Sequence, residues 1–91
     1  MVVFAIDHPI ARADLPALCD EVSALLDSTD AGVALCDVSA AAPDAVTVDA
    51  LARLQLVTRR RGCRTELRGA SNELLELLAL MGLRDVLEDR D

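Results

Sequence analysis

The chain of 91 residues is long enough for one small domain, spanning 1–91, and carries a net charge of −7 at neutral pH. This charge repels nucleic acid, and Phe4 is the only aromatic residue on which a base could stack, so nucleic-acid binding is not expected. All nine basic residues are arginine and His8 is the only histidine, which excludes lysine nucleophiles and multi-histidine metal sites.

The first predicted unit is an apolar strand over residues 2–6, followed by a helix that ends near Asp27. Asp14 is suited to be the N-cap of this helix, and Pro16 is tolerated in a first turn. Residues 28–32 are expected to form a turn. The apolar residues of the helix recur at the spacing of one buried face: Leu15, Leu18, Val22, Leu25 and Leu26.

The second unit begins with the almost wholly apolar strand 33–38, which is typical of the centre of a parallel sheet. An alanine-rich loop over 39–46 follows, and a helix is expected from Thr47, as its N-cap, to Arg61. Gly62 is suited to the left-handed position after the helix. Four residues lie close to one face of this helix, Val48, Leu51, Leu54 and Val57, whereas Leu56 lies off it.

The third unit alternates polar and apolar residues over 63–68, as expected of a half-exposed strand. Ser71 is predicted to cap a third helix that Gly82 ends. Residues 83–87 are expected to form a further helical turn, and 88–91 a solvated tail. The expected buried stripe of the third helix comprises Leu74, Leu75, Leu77, Leu78 and Met81.

Three strand–helix units predict an α/β fold, with a small βαβαβα sheet of three or four mostly parallel strands and the helices on one face. We expect Phe4, Leu35 and Leu67 on the helix-covered face. The opposite face, uncovered by this chain, is expected to hold Val3, Ala5, Ala34 and Cys36 beside Arg64, Glu66 and Arg68. Because an uncovered face and an edge strand invite pairing, a homodimer or a hetero-complex is expected.

The three cysteines show no C-x-x-C spacing and no secretory leader is recognisable, so we expect reduced thiols and a cytoplasmic location. No apolar run reaches the length of a membrane span. Cys36 is expected to be an inert core thiol. We interpret His8 as a loop residue rather than a ligand or base, and arginines 59–61 as a solvated helix end rather than an anion-binding patch.

The span from 33 to 87 resembles the STAS domains, the bacterial anti-sigma-factor antagonists and their relatives. The shared pattern is an apolar strand that ends in Asp37-Val38-Ser39, then a loop and a helix that closes on Arg59-Arg60-Arg61-Gly62. A strand to Leu67 follows, and a leucine-rich helix over 74–78 closes on Met81-Gly82-Leu83. The stretch before 33 fits less closely, and it lacks the extra N-terminal strand that the family usually has.

The family's signature at the second helix is Asp-Ser-Ser-Gly, in which the first serine accepts phosphate. The matching stretch here is Thr47-Val48-Asp49-Ala50. Val48 has no hydroxyl to accept phosphate, Asp49 replaces the second serine and Ala50 replaces the glycine. The resemblance therefore implies an unswitched or differently switched member of the family.

The resemblance implies a non-enzymatic module, without a cofactor, that takes part in the regulation of transcription by binding a partner protein. The expected partner is a kinase-like anti-sigma factor, whose capture frees a sigma factor. The alternative is an accessory or structural subunit of a larger complex, such as an ABC-type lipid transporter. The expected binding surface is the loop and helix start over 37–51, with Asp37, Ser39, Asp44, Thr47, Val48 and Asp49.

Each polar residue of this surface also has a purely structural interpretation. The Thr47 hydroxyl is either an N-cap or, like that of Ser39, a phosphate acceptor. Asp49, in the first turn, either interacts favourably with the helix dipole or mimics a phosphate. Asp37, Asp44 and Asp49 around one loop would suit Mg²⁺, but the loop lacks the regular spacing of a calcium site. We expect Asp37 to bind loop amides and Asp44 to lie in a turn, with no metal and no catalytic residue.

Overall fold

Strands and helices alternate along the chain, as the sequence predicts. The computed structural model describes residues 2–6, 10–28, 32–82 and 88–89. The strands are β1 (Val2–Ala5), β2 (Val33–Asp37), β3 (Arg64–Arg68) and β4 (Glu88–Asp89), and the helices are α1 (Leu15–Asp27), α2 (Ala45–Arg60) and α3 (Asn72–Leu80). A 3₁₀ turn over Arg12–Asp14 leads into α1.

The four strands form one sheet in the order β1-β2-β3-β4, and every neighbouring pair is parallel. Right-handed crossovers between strands that are neighbours in both sequence and space fall on one side of the sheet, so α1, α2 and α3 cover the same face. The predicted fold class, α/β with a small parallel sheet and its helices on one face, is therefore confirmed.

The fourth strand differs from the expectation for the end of the chain. Residues 88–91 are expected to be a solvated tail, but Glu88 and Asp89 pair with Glu66 and Leu67 at the edge of β3. This pairing uses backbone donors and acceptors, which acidic residues have like any others, so side-chain propensity gave no signal of it. Residues 83–87, the expected helical turn, and residues 90–91 lie outside the described residues.

The register of the sheet corrects the predicted facing of β2. One row of paired side chains faces the helices: Phe4, Cys36 and Leu67. The neighbouring rows face away from the helices and hold Val3, Ala5, Leu35, Arg64, Glu66 and Arg68. The expectation that Leu35 faces the helices, and that Ala34 and Cys36 face away, is therefore wrong. A strand that is apolar throughout does not alternate polar and apolar residues, so its sequence does not show which side chains face the helices. A shift of one residue in the register moves every side chain to the opposite face.

The core lies between the helices and this face of the sheet, in two clusters of buried residues. The larger cluster joins all three helices to the carboxyl ends of the strands: Ile6, Leu15, Cys36, Val38, Val48, Ala50, Leu51, Leu67, Leu74 and Leu78. The smaller cluster comprises Val2, Val22, Leu26, Ala34, Leu54 and Cys63. Two expected core residues are instead exposed, because Leu25 lies at the edge of the stripe on α1 and Met81 is the residue after α3.

The helix ends follow the predicted chemistry in part. Asp14 is the N-cap residue of α1, but its carboxylate accepts a hydrogen bond from the Ala11 amide at the start of the 3₁₀ turn, at 3.1 Å. Gly62, with φ of 70°, ends α2 in the left-handed conformation as predicted. Ser71 is the N-cap of α3, also as predicted, and its hydroxyl accepts a hydrogen bond from the Leu74 amide at 3.1 Å.

The turn between β3 and α3 lies directly against the loop that follows β2. Gly69 in this turn has φ of 73°, and a Cβ atom there would lie 2.7 Å from the Cβ of Ser39. Beside this contact the Val38 amide donates to the Arg68 carbonyl at 2.9 Å. Only glycine permits both this backbone conformation and this approach, so the turn fixes the position of Ser39.

We predict that Gly69→Ala destabilises the protein more than Gly62→Ala, the matched control. Both residues have positive φ, which costs about 1–2 kcal/mol for alanine, but a Cβ at Gly62 meets no atom within 4 Å. The contact with Ser39 adds roughly 1–3 kcal/mol at Gly69 only. Urea unfolding of the two variants measures the difference, and equal losses in the free energy of unfolding would contradict the described contact.

Candidate functional site

The candidate site is the connection from β2 to α2, at the carboxyl edge of the sheet. Most of its side chains are exposed, from Ser39 to Ala45, with Ala41 half-buried. Tight turns hold it together: the Ala41 amide donates to the Val38 carbonyl at 3.0 Å, and the Asp44 amide donates to the Ala42 carbonyl at 3.0 Å. The loop is therefore a fixed surface feature, and its backbone is held by the chain's own hydrogen bonds.

The Asp37 carboxylate organises the first turn of this loop. Its Oδ1 accepts the Ser39 amide at 2.9 Å and the Ser39 hydroxyl at 2.6 Å. These two hydrogen bonds, with a smaller contribution from Arg68, hold the pKa of Asp37 below its usual value. The expectation that Asp37 binds loop amides is confirmed for one amide, that of Ser39, a residue predicted to bind the partner.

Asp44, and not Thr47, is the N-cap of α2. The Asp44 carboxylate accepts the Thr47 amide at 2.9 Å, and the Asp44 carbonyl accepts the first helical hydrogen bond, from Val48. The interpretation of Asp44 as a plain turn residue and of Thr47 as the cap is therefore wrong. The N-cap of α2 therefore lies three residues earlier than expected. Thr47 is part of the first turn of the helix, where it is only 3% exposed.

Asp49 lies in the second turn of α2 rather than the first, so the predicted interaction with the dipole at the helix N-terminus does not hold its carboxylate in place. Two arginines hold the carboxylate instead. The Arg12 guanidinium lies 2.8 Å from Asp49 Oδ2, and Arg53 Nε lies 3.2 Å from Asp49 Oδ1. The negative charge of Asp49 is thus compensated within the chain, which argues against its acting as a permanent phosphate mimic.

A groove between α2 and α3 adjoins this ion-paired cluster. Its volume is about 440 Å³ and its lining is Arg12, Ala45, Val48, Asp49, Ala52, Leu77 and Met81. We call it the α2–α3 groove. Apart from Arg12 and Asp49 it is lined by apolar side chains, and a concave apolar surface with a few polar groups at one side is the usual form of a recognition site. Met81, placed in the buried stripe by the sequence, is 66% exposed here.

The structure brings the six predicted partner-binding residues together in pairs. Asp37 binds Ser39, Asp44 binds the Thr47 amide, and Val48 and Asp49 both line the α2–α3 groove. Their accessibility differs. Ser39 and Asp44 are exposed, Asp37 and Asp49 are half-buried, and Thr47 and Val48 are buried. Of the two predicted phosphate acceptors, only the Ser39 hydroxyl is therefore at the surface in the folded chain.

Sequence reasoning missed the two arginines that complete the site. Arg53 follows Asp49 by four residues on one helix face, and this spacing was a readable signal of an ion pair. Arg12 is separated from Asp49 by 37 positions and reaches it only because the 3₁₀ turn packs beside α2. No local pattern identifies a contact of that kind.

The acids that suggested a metal site are engaged with other groups, as described above for Asp37, Asp44 and Asp49. Among the described residues, no three histidine, cysteine, aspartate or glutamate side chains cluster in a way that would hold a metal ion. Cys36 lies in the core, where burial raises the pKa of its thiol to about 12. The thiol therefore stays protonated at physiological pH, as expected of an inert cysteine.

The chain shares its fold with a solved structure, the crystal structure of a sulfate transporter family protein from Wolinella succinogenes. The two are 21% identical in sequence with a TM-score of 0.66, and the match covers 96% of this chain and 75% of that chain. Likeness at this level of identity shows the fold. No protein-family profile and no curated protein matches the chain. Within the described part of the chain, no helix has the length and apolar character needed to cross a membrane.

The hydrogen bonds from Ser39 give a pH-dependent prediction for the loop. Because the pKa of Asp37 is lowered in the folded protein, the stabilisation from its ionised form is complete above the usual value of 3.8 and is lost as the pH falls through the lowered pKa. We expect Ser39→Ala to raise the pKa of Asp37, since it removes the hydroxyl donor. Carboxyl-carbon chemical shifts measured through an acid titration report this directly.

Asp27 is the internal control for that titration. Its pKa is also lowered, but by Arg61, which donates to it at 2.8 Å at the other end of the molecule. Ser39→Ala should leave the midpoint of Asp27 unchanged. An Asp37 midpoint that does not move in the variant would contradict the described hydrogen bonds.

Proposed function

We propose that this chain is a non-enzymatic, bacterial STAS-like protein-interaction module. It binds a partner protein through the loop after β2 and the first two turns of α2, a region that we call the docking surface and define by Asp37, Ser39, Asp44, Val48 and Asp49. The observation that carries the proposal is the α2–α3 groove, where an apolar recess adjoins the ion-paired Asp49 beside a loop with a fixed conformation. Such a surface offers shape, apolar contact and charge, which are the components of specific protein recognition.

The fold supports the STAS-like part of this proposal. The strand order, the parallel pairing and the helices on one face agree with the plan implied by the resemblance over 33–87. The solved structure with the same fold belongs to a sulfate transporter family protein, and the match covers nearly all of this chain. Membership of the STAS family therefore remains part of the proposal, supported by fold and by residue pattern.

A kinase-like anti-sigma factor is the partner that the resemblance suggests first. In this interpretation the module captures the anti-sigma factor and frees a sigma factor, in the cytoplasm. Phosphorylation on α2 does not control it, because Val48 has no hydroxyl and Thr47 is buried. If a phosphate regulates the module, Ser39 is the accessible acceptor, and a phosphate there would lie beside the Asp37 carboxylate and displace the loop by charge repulsion.

The polar groups of the docking surface support binding rather than catalysis. The Asp37 and Asp44 carboxylates accept backbone amides, and the Asp49 carboxylate is paired with two arginines. These bonds hold the loop and the start of α2 in place, and the paired charges of Asp49, Arg12 and Arg53 lie at least partly exposed beside them. The arrangement therefore suits a surface whose shape and charge are recognised by another protein.

The second candidate function is an accessory module of a membrane transporter. The observation in its favour is that the protein which shares the fold is a sulfate transporter family protein. In this case the partner would be a transporter subunit, and a lipid transporter of the ABC type is one form of it. The same docking surface would serve, so the identity of the partner distinguishes the two candidates.

We predict that Asp49→Lys abolishes binding of the partner while leaving the fold intact. The substitution places three cations together where the wild type has two arginines and one acid, and each of the two ion pairs that it removes, made by half-buried Asp49 with an exposed arginine, contributes only about 0–1 kcal/mol to stability. Wild type and variant are used as baits in affinity capture from the native cell, with identification by mass spectrometry. Circular dichroism checks that the variant is folded.

Glu21→Lys is the matched control, because it makes the same change of charge at an exposed position of α1 outside the docking surface. A partner that the wild type and Glu21→Lys retain and Asp49→Lys loses would support the docking surface. A kinase-like ATPase among the captured proteins favours the first candidate, and a permease subunit favours the second. Retention of the same partner by Asp49→Lys would place the binding surface elsewhere and overturn the proposal.

A further inference from the structure

The outer side of α2 and α3 exposes more apolar surface than the rest of the helix layer. Leu80, the last residue of α3, is 81% exposed, and Met81, which follows it and lines the α2–α3 groove, is 66% exposed. Leu56, 52% exposed, follows Ala52 of the groove by four residues and so continues the same side of α2. Large exposed apolar side chains gathered on one side of a small protein favour an interface there.

The charges on the two sides of the groove have opposite signs. On the α3 side, Glu73 and Glu76 are exposed and precede Leu77 and Leu80 by four residues each, so they flank the apolar residues on the same helix face. Neither glutamate has an ion-pair partner within the described part of the chain. The exposed side of α3 therefore carries uncompensated negative charge beside its leucines.

The α2 side of the groove is positively charged. Arg12 and Arg53 share the single carboxylate of Asp49, so this cluster has a net charge of +1. Further along the helix, Arg59 and Arg60 are exposed and have no ion pair among the described residues. In a chain whose overall charge is −7, the Arg12–Arg53–Asp49 cluster therefore places net positive charge on the α2 side of the groove, opposite the glutamates of α3.

We propose that a second copy of this chain occupies the α2–α3 groove and forms a two-fold symmetric homodimer. A two-fold axis along the groove sets α2 of one copy over α3 of the other. Leu77, Leu80 and Met81 of each copy then pack into the apolar groove of its neighbour, while Arg12 and Arg53 of one copy face Glu73 and Glu76 of the other. A two-fold interface must be self-complementary, and a basic helix beside an acidic helix, with apolar residues between them, meets that requirement.

The dimer and the docking surface overlap, since Val48 and Asp49 line the same groove. Self-association therefore competes with binding of a partner at this surface. The dimer is argued from exposure and charge alone and does not depend on the identity of the partner. Its test uses the purified chain, so its failure is distinguishable from failure of the proposed function.

Sedimentation velocity over a range of protein concentration tests the dimer. We expect the wild type to form dimers and Leu80→Glu to be monomeric, because the substitution places a charge in the apolar centre of the interface. Leu80 is almost fully exposed in the single chain, so the variant should fold normally. Leu25→Glu, at an exposed leucine of α1 remote from the groove, is the matched control and should dimerise like the wild type.

A charge exchange tests the geometry of the interface. Glu76→Arg and Arg12→Glu should each weaken the dimer about tenfold or more, because like charges then face one another. An equimolar mixture of the two variants should restore dimerisation, since each copy then supplies the charge that the other has lost. A wild type that stays monomeric up to about 1 mM would overturn the proposal. Persistence of the dimer in Leu80→Glu, or failure of the mixture to restore it, would also overturn it.

Discussion

The parallel pairing of all four strands in sequence order is the constraint on which the rest of the molecule depends. It requires each connection to cross over the same face, so all three helices pack on Phe4, Cys36 and Leu67 and bury one continuous core. It also brings the carboxyl ends of the strands to one edge. The connection from β2 to α2 and the turn from β3 to α3 therefore meet, and the contact between Ser39 and Gly69 is the direct result.

The charges of the site depend on that packing in turn. The 3₁₀ turn before α1 lies beside α2 because α1 and α2 pack on the same face of the sheet. This packing places Arg12 at 2.8 Å from Asp49. Asp49 consequently acts as one member of an ion-paired cluster and not as an isolated negative charge. The family resemblance places a regulatory serine beside this position, and the chain has in its place a buried valine followed by an acid whose charge is compensated.

The fold was largely predictable because strand and helix patterns alternate along the sequence, with a clear helix-start signal at Ser71 and a clear helix-end signal at Gly62. The features that the sequence left undetermined are those that depend on contacts between distant residues. β2 is apolar on both faces, so only its pairing with Phe4 and Leu67 decides that Cys36 is inside. The two-residue β4 is held by backbone pairing, which its acidic residue types do not indicate.

The hydrogen bonds and ion pairs of the candidate site were predictable only in part. Asp44 and Thr47 are both residue types that cap helices, three positions apart, and the choice between them depends on burial of Thr47 against the core. The partner of Asp37 was predictable, because an aspartate commonly accepts the amide two residues later. The ion pair between Arg12 and Asp49 was not predictable, because a separation of 37 residues leaves no local pattern.

We propose that a partner protein binds where the loop after β2 meets the start of α2. Amide hydrogen exchange of the chain, measured with and without the captured partner, tests it most directly. We expect slower exchange in the partner's presence over residues 38–53 and unchanged exchange over α1. Protection confined to α1 and β1, with no change at the start of α2, would contradict it.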